Sequence, residues 1–70
     1  MSFRKYMARR VTYAASLAGA FTQNYRSDPE APDAQSVTEL LNYLRQRGAT
    51  DETLRAARAC WDAYRRSRRT

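Results

Sequence analysis

The segment SDPEAPDAQ at residues 27–35 is the feature that most limits how this chain can fold. It holds both prolines of the chain, and the residue before a proline is biased away from helical backbone. Serine and aspartate around the prolines favour turns. We therefore predict a loop over about 27–35 between two helical halves of one small domain, residues 1–70. No strand-like alternation of apolar and polar residues is visible, which predicts an all-α fold.

The half before this loop contains two segments with helical periodicity. Ser2 is a suitable N-cap for a first helix at about 3–10, and Thr12 for a second helix at about 13–26. Apolar residues recur at spacings that place them on one face of each helix. These residues are Phe3, Tyr6 and Met7 in the first helix, and Tyr13, Ala14, Leu17, Ala18, Phe21 and Tyr25 in the second.

The half after the loop begins with a capping box. In this motif the oxygen of Ser36 accepts a hydrogen bond from the backbone N–H of Glu39, whose side chain reaches back to the N–H of the serine. The motif predicts a third helix at about 37–47. Gly48 stands where a residue with left-handed backbone would end that helix.

A fourth helix is predicted at about 51–66, with Thr50 as its cap and Asp51 and Glu52 at the positive end of its dipole. In a chain of 70 residues each large apolar side chain matters for the core. The predicted core residues are Phe3, Tyr6, Leu17, Phe21, Leu40, Leu41, Leu44, Leu54, Trp61 and Tyr64.

Several short motifs follow one another in the order found in a known family. They are Ser2-Phe3, Tyr6-Met7, LA at 17–18, an acidic proline-containing loop at 28–33, LLNYLRQRGATDETL at 40–54 and WDAY at 61–64. In these motifs the chain resembles the YozE-like family of small bacterial proteins with a SAM-like (sterile alpha motif-like) fold. The resemblance spans nearly the whole chain and implies a compact bundle of four or five short helices.

Charged residues are unevenly distributed along the chain. Thirteen Lys and Arg against seven Asp and Glu give a formal net charge of +6. Basic residues concentrate in 1–10 and 55–70, with a basic tail at about 65–70, whereas 27–39 contains acidic residues and no basic one. This balance favours association with nucleic acid or another anionic surface.

The fourth helix carries the strongest candidate site. At about 100° per residue, a stripe roughly 100° wide beside the apolar face contains Arg55, Arg58, Arg65, Arg66 and Arg69. Such a stripe can follow a phosphate backbone over about 20 Å. If the first helix packs against the fourth, with Phe3 and Tyr6 reaching Trp61, the basic surface gains Arg4, Lys5 and Arg9. We therefore expect weak, non-specific binding of nucleic acid.

Other interpretations of the same charges stay open. The arginine stripe is also typical of a solvated helix face, in which Asp62 pairs with a neighbouring arginine. A protein-interaction module, such as a phage-type modulator of a host complex, could use the basic stripe or the acidic segment at 28–39. Self-association through helix faces is a third alternative. A helix-turn-helix role is disfavoured, because Asp51 and Glu52 would meet DNA phosphates.

The remaining candidate residues have ordinary structural interpretations. Tyr25 and Tyr43 could stack on bases, but such residues are more often half-buried at the edge of a core. Trp61 is expected in the core, and Cys60 is expected to be a buried, inert thiol.

Catalysis has little support in this sequence. It contains no histidine, one cysteine and no glycine-rich phosphate loop, so we expect no enzyme activity, metal or cofactor. The single cysteine cannot form an internal disulfide, which favours the cytoplasm. Residues 1–20 imitate a secretory signal only weakly, because Val11 and Leu17 are the only large aliphatic residues of their apolar run. No stretch has the length and hydrophobicity of a membrane span.

Overall fold

Four α-helices make up the fold in the computed structural model, which describes residues 2–10 and 16–68. They are α1 (Phe3–Arg9), α2 (Leu17–Ser27), α3 (Val37–Gln46) and α4 (Asp51–Ser67). No strand occurs within the described ranges. The predicted all-α bundle with four helices is therefore confirmed.

Each helix begins at a hydroxyl side chain that accepts a hydrogen bond from the backbone N–H three residues further on. The four caps are Ser2, Ser16, Ser36 and Thr50. Such a cap satisfies a backbone donor that has no partner inside the helix. In the capping box of α3, however, the carboxylate of Glu39 accepts from the backbone N–H of Gln35, not from that of Ser36.

The end of α3 follows the sequence prediction. Gly48 has a positive φ of 78°, its N–H donates to the carbonyl of Arg45 (3.0 Å), and the N–H of Ala49 donates to that of Leu44 (3.0 Å). These two bonds form a Schellman motif, which suits glycine because a side chain would strain the left-handed backbone. The turn sends the chain directly into α4.

The predicted second helix requires a correction. α2 begins at Leu17 after the cap Ser16, whereas Thr12 and Tyr13 lie outside the described residues. The inward face of α2 is centred near Ala18, Thr22 and Tyr25, so Leu17 points about 110° away from its centre. The side chain of Leu17 is 60% exposed, and its assignment to the core was wrong.

Thr22, which the sequence prediction left outside the apolar face, is fully buried between α2 and α4. Its hydroxyl donates to the carbonyl of Ala18 (2.7 Å) and lies 3.9 Å from the sulfur of Cys60. The hydrogen bond within its own helix lets a polar side chain occupy this site.

Phe3 lies at the centre of an aromatic cluster. Its side chain has no exposed surface, and its ring centroid is 4.9 Å from that of Trp61, 5.4 Å from Tyr64 and 5.4 Å from Tyr25. Separations and tilts of this kind are favourable for aromatic pairs. One residue of α1 thus joins α2 and α4.

α4 contacts all three other described helices, whereas α3 contacts α4 alone among them. Of the remaining predicted core residues, Phe21, Leu40 and Leu41 are buried, and Tyr6, Leu44 and Leu54 pack half-buried against the core. The core also contains Met7 and Tyr25, which periodicity placed on apolar helix faces, and Cys60, whose burial was expected. Its remaining members are small: Ala31, Ala34, Ala56 and Ala57.

The acidic loop is fastened to α3. Arg47 bridges Asp28 (Nη2 to Oδ2, 3.4 Å) and Glu30 (Nη1 to Oε2, 3.0 Å), and its guanidinium lies 5.4 Å from the ring centroid of Tyr43. The hydroxyl of Tyr43 donates to the carboxylate of Asp28. Two acidic side chains of the loop are therefore already engaged within the protein.

The contrast between Phe3 and Leu17 gives a first prediction. Phe3→Ala is expected to lose about 3–5 kcal/mol of the free energy of unfolding, which is about all that a core of this size supplies. Leu17→Ala is expected to change it by less than about 0.5 kcal/mol. Urea unfolding followed by circular dichroism measures both, and similar losses in the two variants would contradict this difference in burial.

The contacts of Asp28 with Tyr43, Glu30 and Arg47 give a second prediction. The hydrogen bond from Tyr43, the N–H of Glu30 and the charge of Arg47 hold the pKa of Asp28 below its ordinary value of 3.8. A carboxyl whose pKa is lower in the folded state stabilises the fold above its unfolded pKa, and this contribution is lost as pH falls through the folded pKa. Asp28→Asn should therefore flatten the fall in the urea midpoint below about pH 4.

Asp62→Asn is the matched control for this experiment, because Asp62 is exposed and its carboxylate forms no hydrogen bond or ion pair with another described residue. It should keep the acid dependence of the parent protein. Equal flattening in both variants would show that the contacts of Asp28 are not the source of the acid dependence.

Candidate nucleic-acid interface

The arginines of α4 occupy the side of the helix that faces away from the core. Arg55, Arg58, Arg65 and Arg66 are all exposed. On a helical wheel their centre lies about 160° from that of the buried residues of α4, which are Ala56, Ala57, Cys60, Trp61 and Tyr64. The sequence prediction put the stripe beside the apolar face. It lies nearly opposite instead, because Ala56 and Cys60 also belong to the buried face.

This set, which we call the α4 arginine row, runs from Arg55 to Arg66 over roughly 16 Å of helix. Arg69, the fifth predicted member, lies outside the described residues. Arg68, which the sequence prediction omitted, is exposed and holds its guanidinium 5.5 Å from the ring centroid of Tyr64. A cation over an aromatic ring is partly held in place.

No acidic side chain in the described parts of the chain pairs with the α4 arginine row. Both ion pairs among those residues belong to Arg47. Asp62 lies within the row but is not within ion-pair distance of any described arginine. The row therefore presents four positive charges and one negative charge to solvent.

α1 packs against the C-terminal part of α4, as the extended basic surface requires. Phe3 contacts Trp61, and the ring centroid of Tyr6 lies 5.5 Å from that of Tyr64. Arg9 is exposed on the flank of α1 that carries Tyr6, whereas Lys5 is exposed on the outer face of α1, opposite Phe3 and Met7. Of these two cations, Arg9 thus lies on the side of α1 nearer α4.

Arg4 departs from its predicted role. It lies on the opposite flank of α1, where its Nη1 donates to the carbonyl of Ala31 (2.6 Å) and its guanidinium lies 5.9 Å from the ring centroid of Tyr25. Its backbone N–H donates to the carboxylate of Asp33 (3.1 Å). The guanidinium of Arg4 is engaged in fastening the acidic loop, so its assignment as a nucleic-acid ligand is corrected.

Arg45 is, besides Arg68, a cation that the sequence prediction omitted. It lines a groove of about 300 Å³ between α3 and α4, together with Leu41, Asp51, Leu54, Arg55 and Arg58. A sequence signal existed, because two helices joined by a short turn pack as antiparallel neighbours. Residues near the turn on the two helices can then line one groove. We call this feature the α3–α4 groove.

Comparisons of the chain with protein-family models, with curated proteins and with solved structures find no match. The resemblance to the YozE-like family therefore stays a prediction that rests on the quoted motifs. None of the helices in the described ranges is long and apolar enough to cross a membrane.

The tyrosines proposed as stacking platforms are engaged within the fold. Tyr25 is 4% exposed, and its hydroxyl donates to the carbonyl of Pro32 (2.7 Å). Tyr43 is half-buried and bonded to Asp28. Neither ring is presented for base stacking. Cys60 is fully buried, and burial raises the pKa of its thiol, as expected for an inert cysteine.

The different surroundings of Arg4 and Lys5 give a third prediction. Arg4→Gln should lower the free energy of unfolding by about 1–2 kcal/mol, because it removes a charged hydrogen bond and a cation–π contact. Lys5→Gln should change it by less than about 0.5 kcal/mol, because its side chain is exposed. Thermal unfolding of the two variants, which lose the same charge, separates the two roles.

Proposed function

We propose that this chain is a small non-enzymatic protein that binds nucleic acid through the phosphate backbone, with the α4 arginine row as the main contact. The observation that carries the proposal is that four exposed arginines share one helix face without an acidic partner among the described residues. Arg9 of α1 extends this surface at the C-terminal end of α4, and Lys5 adds a positive charge on the outer face of α1.

The physical basis is the release of counterions from the polyanion. Arginine offers a permanently charged, planar set of donors that suits phosphate oxygens, and each neutralised phosphate frees condensed counterions. The row is roughly 16 Å long, which corresponds to about five successive phosphates at 3.4 Å per nucleotide along a duplex axis. Contacts of this kind fix position on the backbone and read no sequence.

The mode of docking follows from the start of α4. Asp51 and Glu52 are exposed in its first turn, where a recognition helix would meet base edges between phosphates. The carboxylates disfavour insertion into the major groove. α4 therefore lies along the backbone with its outer face.

The internal engagement of the acidic loop supports the same proposal. Asp28 and Glu30 pair with Arg47, and Asp33 accepts a hydrogen bond from α1. Because these acidic residues have partners elsewhere, they do not neutralise the α4 arginine row. We further propose a YozE-like, SAM-like bundle of bacterial or phage type that works in the cytoplasm, on the motifs and the single cysteine described above.

The test measures binding of a labelled random duplex of about 16 base pairs by fluorescence anisotropy between about 50 and 300 mM salt. For the parent protein we expect log K to fall linearly with log salt. Changing Arg58, Arg65 and Arg66 to Gln should make the slope shallower by about 2.7, which is three times about 0.9 per lost phosphate contact on duplex DNA.

The matched control changes the same three arginines to Lys. Lysine keeps the charge and binds phosphate as a point charge, so the slope should stay near that of the parent. Absence of parent binding at about 50 mM salt would overturn the proposal. The protein-interaction module with an acidic partner, examined by pull-down, would then be the better explanation of the row.

A further inference from the structure

We infer that the α3–α4 groove is a phosphate-binding site that continues the α4 arginine row onto α3, with Arg45 as its additional ligand. The inference rests on the proposed function and deepens it. It adds α3 to the contact surface formed by α4 and α1, and it identifies the end of α4 at which the nucleic-acid backbone passes to another helix.

The arginines of the groove have donors without strong acceptors. Arg45 makes one long contact within its own helix, from Nη1 to Oδ1 of Asn42 (3.4 Å). The side chains of Arg55 and Arg58 make no hydrogen bond or ion pair with any residue in the described ranges. Three guanidinium groups from two helices thus line one depression with their donors available to an anion.

The floor and walls of the groove favour an anion that contacts all three cations. Leu41 is 8% exposed and Leu54 is half-buried, so the base of the groove is apolar. Concave sites with low-dielectric walls concentrate the field of the charges around them. A phosphate oxygen in the groove therefore interacts more strongly with the arginines than one on a flat helix face.

The short turn between α3 and α4 fixes the relative position of the two helices that form the sides of the groove. The Schellman turn at Gly48 ends α3, and the cap at Thr50 starts α4 two residues later. Arg45 lies in the last turn of α3 and Arg55 in the second turn of α4. Such preorganisation lowers the entropy lost on binding.

Nucleic acid is the occupant because the groove is continuous with the α4 arginine row. Arg55 and Arg58 belong to both features. A polyanion that lies along the row brings a further phosphate to the groove, whereas an isolated carboxylate would use the groove alone. Asp51 is the one opposing charge at its edge, and it offers a second, independent test.

The first experiment compares Arg45→Gln with Arg47→Gln, by anisotropy with the same duplex. Both variants lose one positive charge at the end of α3, but Arg47 is bound to Asp28 and Glu30. The slope of log K against log salt should become shallower by about 0.9 for Arg45→Gln and stay unchanged for Arg47→Gln. Circular dichroism establishes that both variants are folded at the assay temperature.

The second experiment does not depend on removing an arginine. Asp51→Asn should tighten duplex binding by about threefold, because it removes a repulsive charge beside the phosphate in a largely aqueous setting. Glu52→Gln removes the same charge one residue further along, where the side chain does not line the groove. It should change the affinity much less.

The outcomes separate the groove from the proposed function. If Arg45→Gln binds like the parent while the triple Gln variant is impaired, the groove inference is overturned and the α4 row stands. Equal slopes for Arg45→Gln and Arg47→Gln also overturn it, because net charge alone would then explain the change. If the parent binds a labelled poly-glutamate peptide but no duplex, and Arg45→Gln loses the peptide, the groove takes a protein and both proposals for nucleic acid fail.

Discussion

The packing of Phe3 among three other aromatic rings is the contact on which the described fold depends. α1 has seven residues, and an isolated helix of this length is unstable in water. Phe3 and Met7 bury its inner face completely, and the rings of Tyr25, Trp61 and Tyr64 surround Phe3 from two other helices. The orientation of α1, and with it the position of every cation on α1, follows from this one side chain.

The same orientation separates the charges of the protein. Arg4 is turned towards the acidic loop and Arg47 reaches the loop from α3, so acidic residues meet basic ones on that side. Arg9 is turned the other way, and Lys5 faces solvent opposite the core. The excess positive charge is consequently concentrated on α4 and its neighbours, which is the arrangement that association with a polyanion needs.

Features that depend on adjacent residues could be predicted from the sequence, whereas features that depend on distant ones could not. The caps Ser2, Ser36 and Thr50 and the left-handed Gly48 are local signals, and all four are observed. Ser16 and Thr12 are equally suitable caps, so local chemistry could not decide where α2 begins. The predicted inner face of α2 consequently included Leu17 and left out Thr22, whereas Leu17 is exposed and Thr22 is buried. Likewise, periodicity predicted that the arginines of α4 share one side of the helix. It could not predict that Arg4 contacts the acidic loop or that Arg45 lies beside α4, because both depend on contacts across the fold.

The distance along the chain between Phe3 and its partners has a consequence for synthesis. α3 and α4 can pair as soon as α4 has left the ribosome, because their contacts are local. Phe3 must wait until Trp61 and Tyr64 have emerged. During translation α1 therefore completes its packing only after α4 has emerged, although it is made before the other three helices, and Arg9 lies beside α4 only when that packing is complete.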